Sequence, residues 1–276
     1  MLWTIHFFKR VLNRCTALVA YTFVVSVLWA SAFSSVEAQP SLGAILKDQL
    51  ALGSGASIPL PAGQWQLTKI ATIARTGYSW ESMVLKNNSP EASIPFIVVR
   101  HVPTSVKWGN TSCTSDASNA NHFMVNLHGT QASGLLNKCS RIFQLANFSS
   151  WLTNPNTLQG DWWNPIISGF DDTGATKNKS LLLAEIRVQQ YNGRGIDIDL
   201  FIMPPKGAGT GKFREDAKAG RLSANHEILS NWLAIFIESI EQSFIYKKPV
   251  TLVALQFQGG HDLALATAPV QTSPPG

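Results

Sequence analysis

Apolar side chains recur along this chain with two different periods. In several runs between Trp65 and Met203 they fall on alternate positions, and Pro, Gly, Asn and Ser separate the runs, which is how antiparallel strands read. Between Ser223 and Tyr246 the period lengthens to that of a helix. The chain therefore predicts a short helix at Ser41 to Leu50 and a tight turn at Pro61 to Gly63. The turn feeds a strand on which Trp65 and Leu67 share one apolar side, with Ile70 just beyond. Further strands are predicted at Tyr78 to Leu85, Ile94 to Val102, His122 to Leu127, Cys139 to Phe148 and Val250 to Phe257. From Trp151 to Lys179 the alternation dissolves into Asn, Pro, Gly and Asp with Trp162 and Trp163 embedded. A loop of that length inside a domain is often where function sits.

A hairpin is the clearest local feature, with Leu181 to Tyr191 and Gly195 to Met203 flanking Asn192-Gly193-Arg194. A two-residue turn would set Val188 opposite Asp197 and Ile186 opposite Asp199, mixing apolar and charged groups. A three-residue loop pairs Val188 with Ile198 and Ile186 with Leu200, leaving Gln189 opposite Asp197 and Arg187 opposite Asp199. Because a slip by one residue turns every side chain to the other face, the three-residue loop is the expected one.

On the helix of 223–246, Leu229, Trp232, Leu233, Phe236, Ile240 and Phe244 form one apolar stripe, with Glu238, Glu241 and Gln242 away from it. Ser223 is suited to cap it, Glu227 to its positive end, Lys247 and Lys248 to its negative end, and Pro249 stops it. Strands first, then one long C-terminal amphipathic helix packed on them, predict an α+β fold with a largely antiparallel sheet.

The start of the chain changes the picture. Lys9, Arg10 and Arg14 precede a run from Cys15 to Val36 without a charged side chain, and Val36-Glu37-Ala38 offers small residues where a signal peptidase reads. The strongly apolar part, Ala17 to Phe33, is shorter than the roughly 20 residues of a comfortable membrane span. Residues 1–38 are thus expected to be a signal peptide, 39–258 a globular domain and 259–276 a disordered tail. A retained N-terminal anchor is the alternative, and only then would the membrane be a partner. Without Lys9, Arg10, Arg14 and Glu37 the balance is 19 basic to 16 acidic residues, a net +3 with no Lys/Arg cluster, which does not point to nucleic acid. Export leaves Cys113 and Cys139, and two thiols in an oxidising compartment allow one structural disulfide, worth about 3 to 4 kcal/mol on the chain-entropy model.

Little in the sequence carries recognisable chemistry. Gly207 to Lys212 imitates a phosphate loop, but Lys206 stands where its first glycine belongs and Phe213 where a hydroxyl is needed, so it reads as a Gly-rich connection. No GxSxG occurs. His101, His122, His128, His226 and His261 show no metal-ligand spacing, so neither metal nor cofactor is expected. The hairpin sets Glu185, Arg187, Gln189, Asp197 and Asp199 on one face. Paired carboxylates there could serve acid and base chemistry on a glycosidic bond, with Arg187 holding a substrate; the wet side of a sheet carries the same residues. Trp151, Trp162 and Trp163 could stack on sugar faces or anchor a partner protein, or they could plug the end of the sheet. Asn87, Asn110, Asn147 and Asn178 begin N-x-Ser/Thr sequons.

The leader, the run Leu60-Pro61-Ala62-Gly63-Gln64-Trp65, the two-cysteine middle, the hairpin running into Pro204 and a final helix bearing Trp232 together resemble a loosely defined group of exported proteobacterial proteins of unknown function. The resemblance implies a periplasmic or secreted location and brings no catalytic residue. The function expected is a noncatalytic envelope domain that binds a glycan or a protein through residues 151–179, with a secreted hydrolase as the alternative.

Overall fold

The computed structural model describes residues 38–53, 55–89, 92–108, 122–127, 136–170, 176–205, 209–252 and 254–258. These belong to the unit Ala38–Gly276. The expected leader up to Glu37, Asn110, Cys113, His128, Gly207 and the tail from 259 onward lie outside the described residues.

Among the described residues there are ten strands: β1 (Ile45–Leu46), β2 (Gln49–Leu52), β3 (Ala56–Pro59), β4 (Trp65–Arg75), β5 (Tyr78–Asn87), β6 (Phe96–Lys107), β7 (His122–Leu127), β8 (Leu136–Leu145), β9 (Leu181–Gln190) and β10 (Asn192–Ile202). Eight of them form an antiparallel sheet in the order β1-β4-β5-β6-β10-β9-β8-β7, and β2 pairs with β3 alone. The helices are α1 (Phe148–Leu152), α2 (Pro155–Gln159), a 3-10 helix (Asn164–Gly169), α3 (Thr210–Lys218) and α4 (Ala224–Ile240), which runs into a π-helical turn (Glu241–Ile245). A largely antiparallel sheet accompanied by helices is the α+β class. Among the described residues no helix is long and apolar enough to cross a membrane.

The alternation of strand side chains sorts the sheet into two faces, and both are covered. On one, Ile196, Ile198, Leu200 and Ile202 of β10 join Ile186 and Val188 of β9, Val99 of β6 and Met83 of β5 in a cluster with Leu229, Trp232, Leu233 and Phe236 of α4. On the other, Phe201, Leu183, Phe96, Val98 and Val84 pack under Phe148 and Ile166, with Trp151, Trp163 and Phe170 against them. Ile73, Trp80, Val102 and Trp108 continue that layer beside Trp162.

Several local expectations are corrected. Residues 41–50 form no helix: Gly43 and Asp48 hold positive φ, which breaks a right-handed helix, and β1 and β2 take their place. The run 250–257 makes no strand among the described residues; Leu252, Leu255 and Phe257 enter the core from irregular backbone, tied by Gln258 N–H donating to Asn225 Oδ1 at 2.8 Å. The strand expected at Cys139 to Phe148 starts at Leu136 and stops at Leu145, and Phe148 opens α1. The Gly-rich connection is partly α3, where Lys212 pairs with Asp216 one turn on. Regular α-helix ends at Ile240, short of Tyr246, because the wider π turn brings Glu241 and Phe244 both inside.

Candidate functional site

The hairpin register places the charged groups. Ile196 faces Val188, Asp197 faces Arg187, Ile198 faces Ile186 and Asp199 faces Glu185, with Gly195–Gln189 as the last pair. This lies two residues from the expected register. The difference comes from β6, which takes Asn192 and Gly193 as partners of Lys107 and Val106, so the turn is given up to a third strand. Trp108 secures it: its Nε1–H donates to Gly193 O at 3.0 Å, and its ring lies where a Cβ on residue 195 would be. A slip of two leaves the faces unchanged, so Glu185, Arg187, Gln189, Asp197 and Asp199 do share one face.

On that face the neighbouring strands add Arg100, opposite Asp197 on β6, and Arg141, opposite Glu185 on β8. Three ion pairs follow. Arg187 Nε and Nη2 donate to Asp197 Oδ1 and Oδ2, both at 3.1 Å; Arg100 Nη1 donates to Asp199; Arg141 Nε donates to Glu185. Arg100 is fully buried, and Asp197 and Asp199 are buried beside it. Burial pushes the Asp199 carboxyl above its ordinary value despite the lowering effect of Arg100. The Asp197 carboxylate raises Arg187 against the opposing effect of burial. Sequence reading missed Arg100 and Arg141. The available signal for Arg100 was a lone guanidinium amid Val98, Val99 and Val102 in a strand too apolar to have a wet side.

The stretch between β8 and β9 roofs this face. Asn147 accepts from Ser150 N–H at 2.8 Å to cap α1, Asn154 accepts from Asn156 N–H at 2.9 Å to cap α2, and Pro155 sits at the start of α2. The 3-10 helix then lands on the sheet at Gly169, whose carbonyl accepts from Thr68 Oγ1 at 2.6 Å; Thr68 is free to reach it because a bulge between Leu67 and Lys69 leaves it without a cross-strand partner. Trp151 packs within the aromatic layer, 4.9 Å from Trp163 and 5.5 Å from Phe201 between ring centroids. Trp162 and Trp163 lie over the Arg100 guanidinium, 4.6 and 4.4 Å from its carbon, and Trp162 is edge-on to Trp80 at 5.4 Å. All three tryptophans are half-buried. Trp151 and Trp163 are therefore part of the roof's own packing, and Trp162 lines a cavity on this face.

That cavity, of about 60 Å³, is lined by Trp162, Arg141, Glu185, Arg187, Asp197 and Asp199, with buried Cys139 at one side. Cys139 faces Arg187 on the neighbouring strand; its expected partner Cys113 lies outside the described residues. His101 and His226 stand elsewhere. His101 is buried on the opposite face with Nε2 3.0 Å from a Glu81 carboxylate oxygen, and burial, ahead of the raising effect of Glu81, lowers its pKa from 6.5. His226 accepts the Ser223 N–H at Nδ1 and sits 2.8 Å from Phe213 O, closing the cap of α4. No metal-binding cluster occurs among the described residues. Of the sequons, Asn87 is buried and accepts from Ser89 N–H, Asn147 is used as a cap, and Asn178 is exposed with positive φ. Comparison of the chain with protein-family models, with curated proteins and with solved structures gives no match.

Proposed function

We propose that this chain is an exported, noncatalytic domain that binds a saccharide of the cell envelope in the cleft beneath Trp162. One observation carries the reading: the indole of Trp162 stands against a wall of alternating guanidinium and carboxylate groups from Arg141, Glu185, Arg187 and Asp197. A sugar presents an apolar C–H face to a flat ring and hydroxyls that donate to carboxylates and accept from guanidinium. About 60 Å³ is far below the several hundred Å³ that enclose a whole ligand, so the cleft suits one edge of a residue in a longer chain. Each carboxylate is held by its own arginine, which favours holding a substrate over attacking it.

Export rests on the uncharged run Cys15 to Val36 and the small residues before Gln39, and a Cys113–Cys139 bridge goes with it. In this reading α4 and the turn after it act as one amphipathic cover of the sheet's opposite face, with Leu229, Trp232, Leu233 and Phe236 inward. The test is titration of the mature chain with envelope oligosaccharides, read by tryptophan fluorescence. Saturable quenching is expected, and it is lost in Trp162→Ala while the melting transition persists. No saturable response to any such saccharide overturns the proposal.

The hydrolase reading is favoured by one feature, the direct opposition of Glu185 and Asp199 on neighbouring strands with the Asp199 carboxyl pushed up by burial. New reducing ends released by the wild type and not by Asp199→Asn would establish it.

A further inference from the structure

Arg100 is the most deeply buried charge of the site, and only one of its three nitrogens is used. Nη1 donates to Asp199, whereas Nε and Nη2 have no hydrogen-bond partner among the described residues. Those two nitrogens make the side-on edge of the guanidinium, with parallel N–H bonds spaced to meet both oxygens of a carboxylate. The protein uses that edge in this way elsewhere. Arg187 meets the two oxygens of Asp197 through Nε and Nη2, both at 3.1 Å, whereas Arg221 brings the same two nitrogens to a single oxygen, Oδ1 of Asp216, at 3.1 and 2.8 Å. A buried, unsatisfied donor is costly, and the indoles over Arg100 compensate its charge but not its N–H groups.

Trp162 and Asp199 both line the cleft and both touch Arg100, so the guanidinium lies directly behind them. We infer that the saccharide bound in the cleft is an acidic one, whose carboxylate reaches Nε and Nη2 of Arg100 past the edge of the Trp162 ring while the ring stays against the sugar. A flat carboxylate matches the two parallel N–H bonds of that edge and can lie in the plane of the guanidinium. Asp199 stays on Nη1 and keeps the guanidinium in place while the ligand is exchanged.

This inference rests on the saccharide reading above, and one experiment separates their failures. The mature chain and Arg100→Lys are titrated with a uronic-acid oligosaccharide, with its carboxyl-reduced neutral counterpart and with glutarate, a carboxylate that is not a sugar, by tryptophan fluorescence, and both proteins are checked by circular dichroism. Lysine keeps the charge beside Asp199 and loses the fork. The acidic oligosaccharide should bind the wild type more tightly than the neutral one, and Arg100→Lys should lose about tenfold to a hundredfold of that affinity, what a charge-assisted bidentate pair supplies. Its affinity for the neutral sugar should fall by less, so that the preference for the acidic probe is what disappears. Equal binding of acidic and neutral oligosaccharides overturns the inference and leaves the saccharide reading standing. Binding of glutarate that depends on Arg100, without binding of either oligosaccharide, supports the carboxylate site and overturns the saccharide reading. No binding of any probe overturns both. Should Arg100→Lys fail to fold, the wild-type preference between the acidic and neutral probes decides the matter alone.

Discussion

Gly169 is the point where the roof meets the sheet, and replacing it tests whether that contact seats Trp162 and Trp163. A Cβ built there would stand 2.5 Å from Lys69 Cβ and 3.0 Å from Val84 Cβ and Cγ2. Carbon atoms in ordinary contact are about 3.5 to 4.0 Å apart, so the 3-10 helix must lift by roughly 1 Å or push two strands away. Neither strand yields easily, since Val84 is fully buried and Lys69 and Val84 are paired across β4 and β5. Lifting also stretches the 2.6 Å bond from Thr68 Oγ1 to the Gly169 carbonyl. Overpacking of this kind costs about 1 to 3 kcal/mol, which for a domain of this size lowers the melting temperature by roughly 2 to 12 °C. Thermal melting of Gly169→Ala by circular dichroism measures it, with the near-ultraviolet band reporting the tryptophans. Gly211→Ala is the control: it lies in α3 with nothing nearer than Gln144 Nε2 at 3.9 Å, so alanine there should stabilise by about 0.5 to 1 kcal/mol. A Gly169→Ala protein that melts with the wild type and keeps its near-ultraviolet spectrum would refute the reasoning.

Two further perturbations reach the opposite face of the sheet. Lys138 bonds Glu241 and lies 3.2 Å from Glu238; because the Glu241 side chain is only 5% exposed, Lys138→Met should leave it uncompensated and cost about 3 kcal/mol in urea unfolding, with Lys138→Met/Glu241→Met together recovering most of the loss. His101 has a folded-state pKa below the ordinary 6.5, so between the two values the unfolded chain binds more protons and stability falls as pH drops through 6.5, levelling off below the folded value; His101→Gln should flatten that slope in urea titrations at pH 7.5, 6.5 and 5.5, and an unchanged slope would show that other groups set it.

The antiparallel α+β class was legible because alternation survives in β10 and the second half of β9, while β6 and the start of β9 read as short apolar runs bounded by turn residues. The faces of the hairpin were legible for the same reason, whereas its register was not. Hydrophobic pattern distinguishes a slip of one residue but not of two, and the deciding partner, Lys107 and Val106 of β6, is remote in sequence. The charged face read as a solvated one because local pattern cannot show that residues 147–170 fold back over it. The caps at Asn147 and Asn154 and the Pro155 start were in the sequence, each for a helix of five residues, too short to leave a periodic signature. Residues 41–50 misled in the other direction, since Leu46 and Leu50 sit at helical spacing while Asp48 takes a positive φ that no pattern of hydrophobicity records.

The arrangement of ion pairs bears on why this face is charged at all. Burying matched ions gains little stability over apolar residues of the same volume, and a sheet already holding Phe96, Leu183 and Phe201 on the same side could have continued that layer across Arg100, Asp197 and Asp199. The aromatic layer instead gives way at Arg141–Glu185, Arg187–Asp197 and Arg100–Asp199, at the place where Trp162 leaves a cavity. Asp199 is held up in pKa by burial although a guanidinium touches it, so the solvation lost there outweighs what the guanidinium returns. Polar groups so placed change partners at small cost when a ligand supplies equivalent bonds, which a packed apolar layer could not do. In the proposed reading, recognition of a charged, hydroxyl-rich molecule is the use to which that exchange is suited, and it would account for the departure from an apolar layer without asking the ion pairs to hold the fold together.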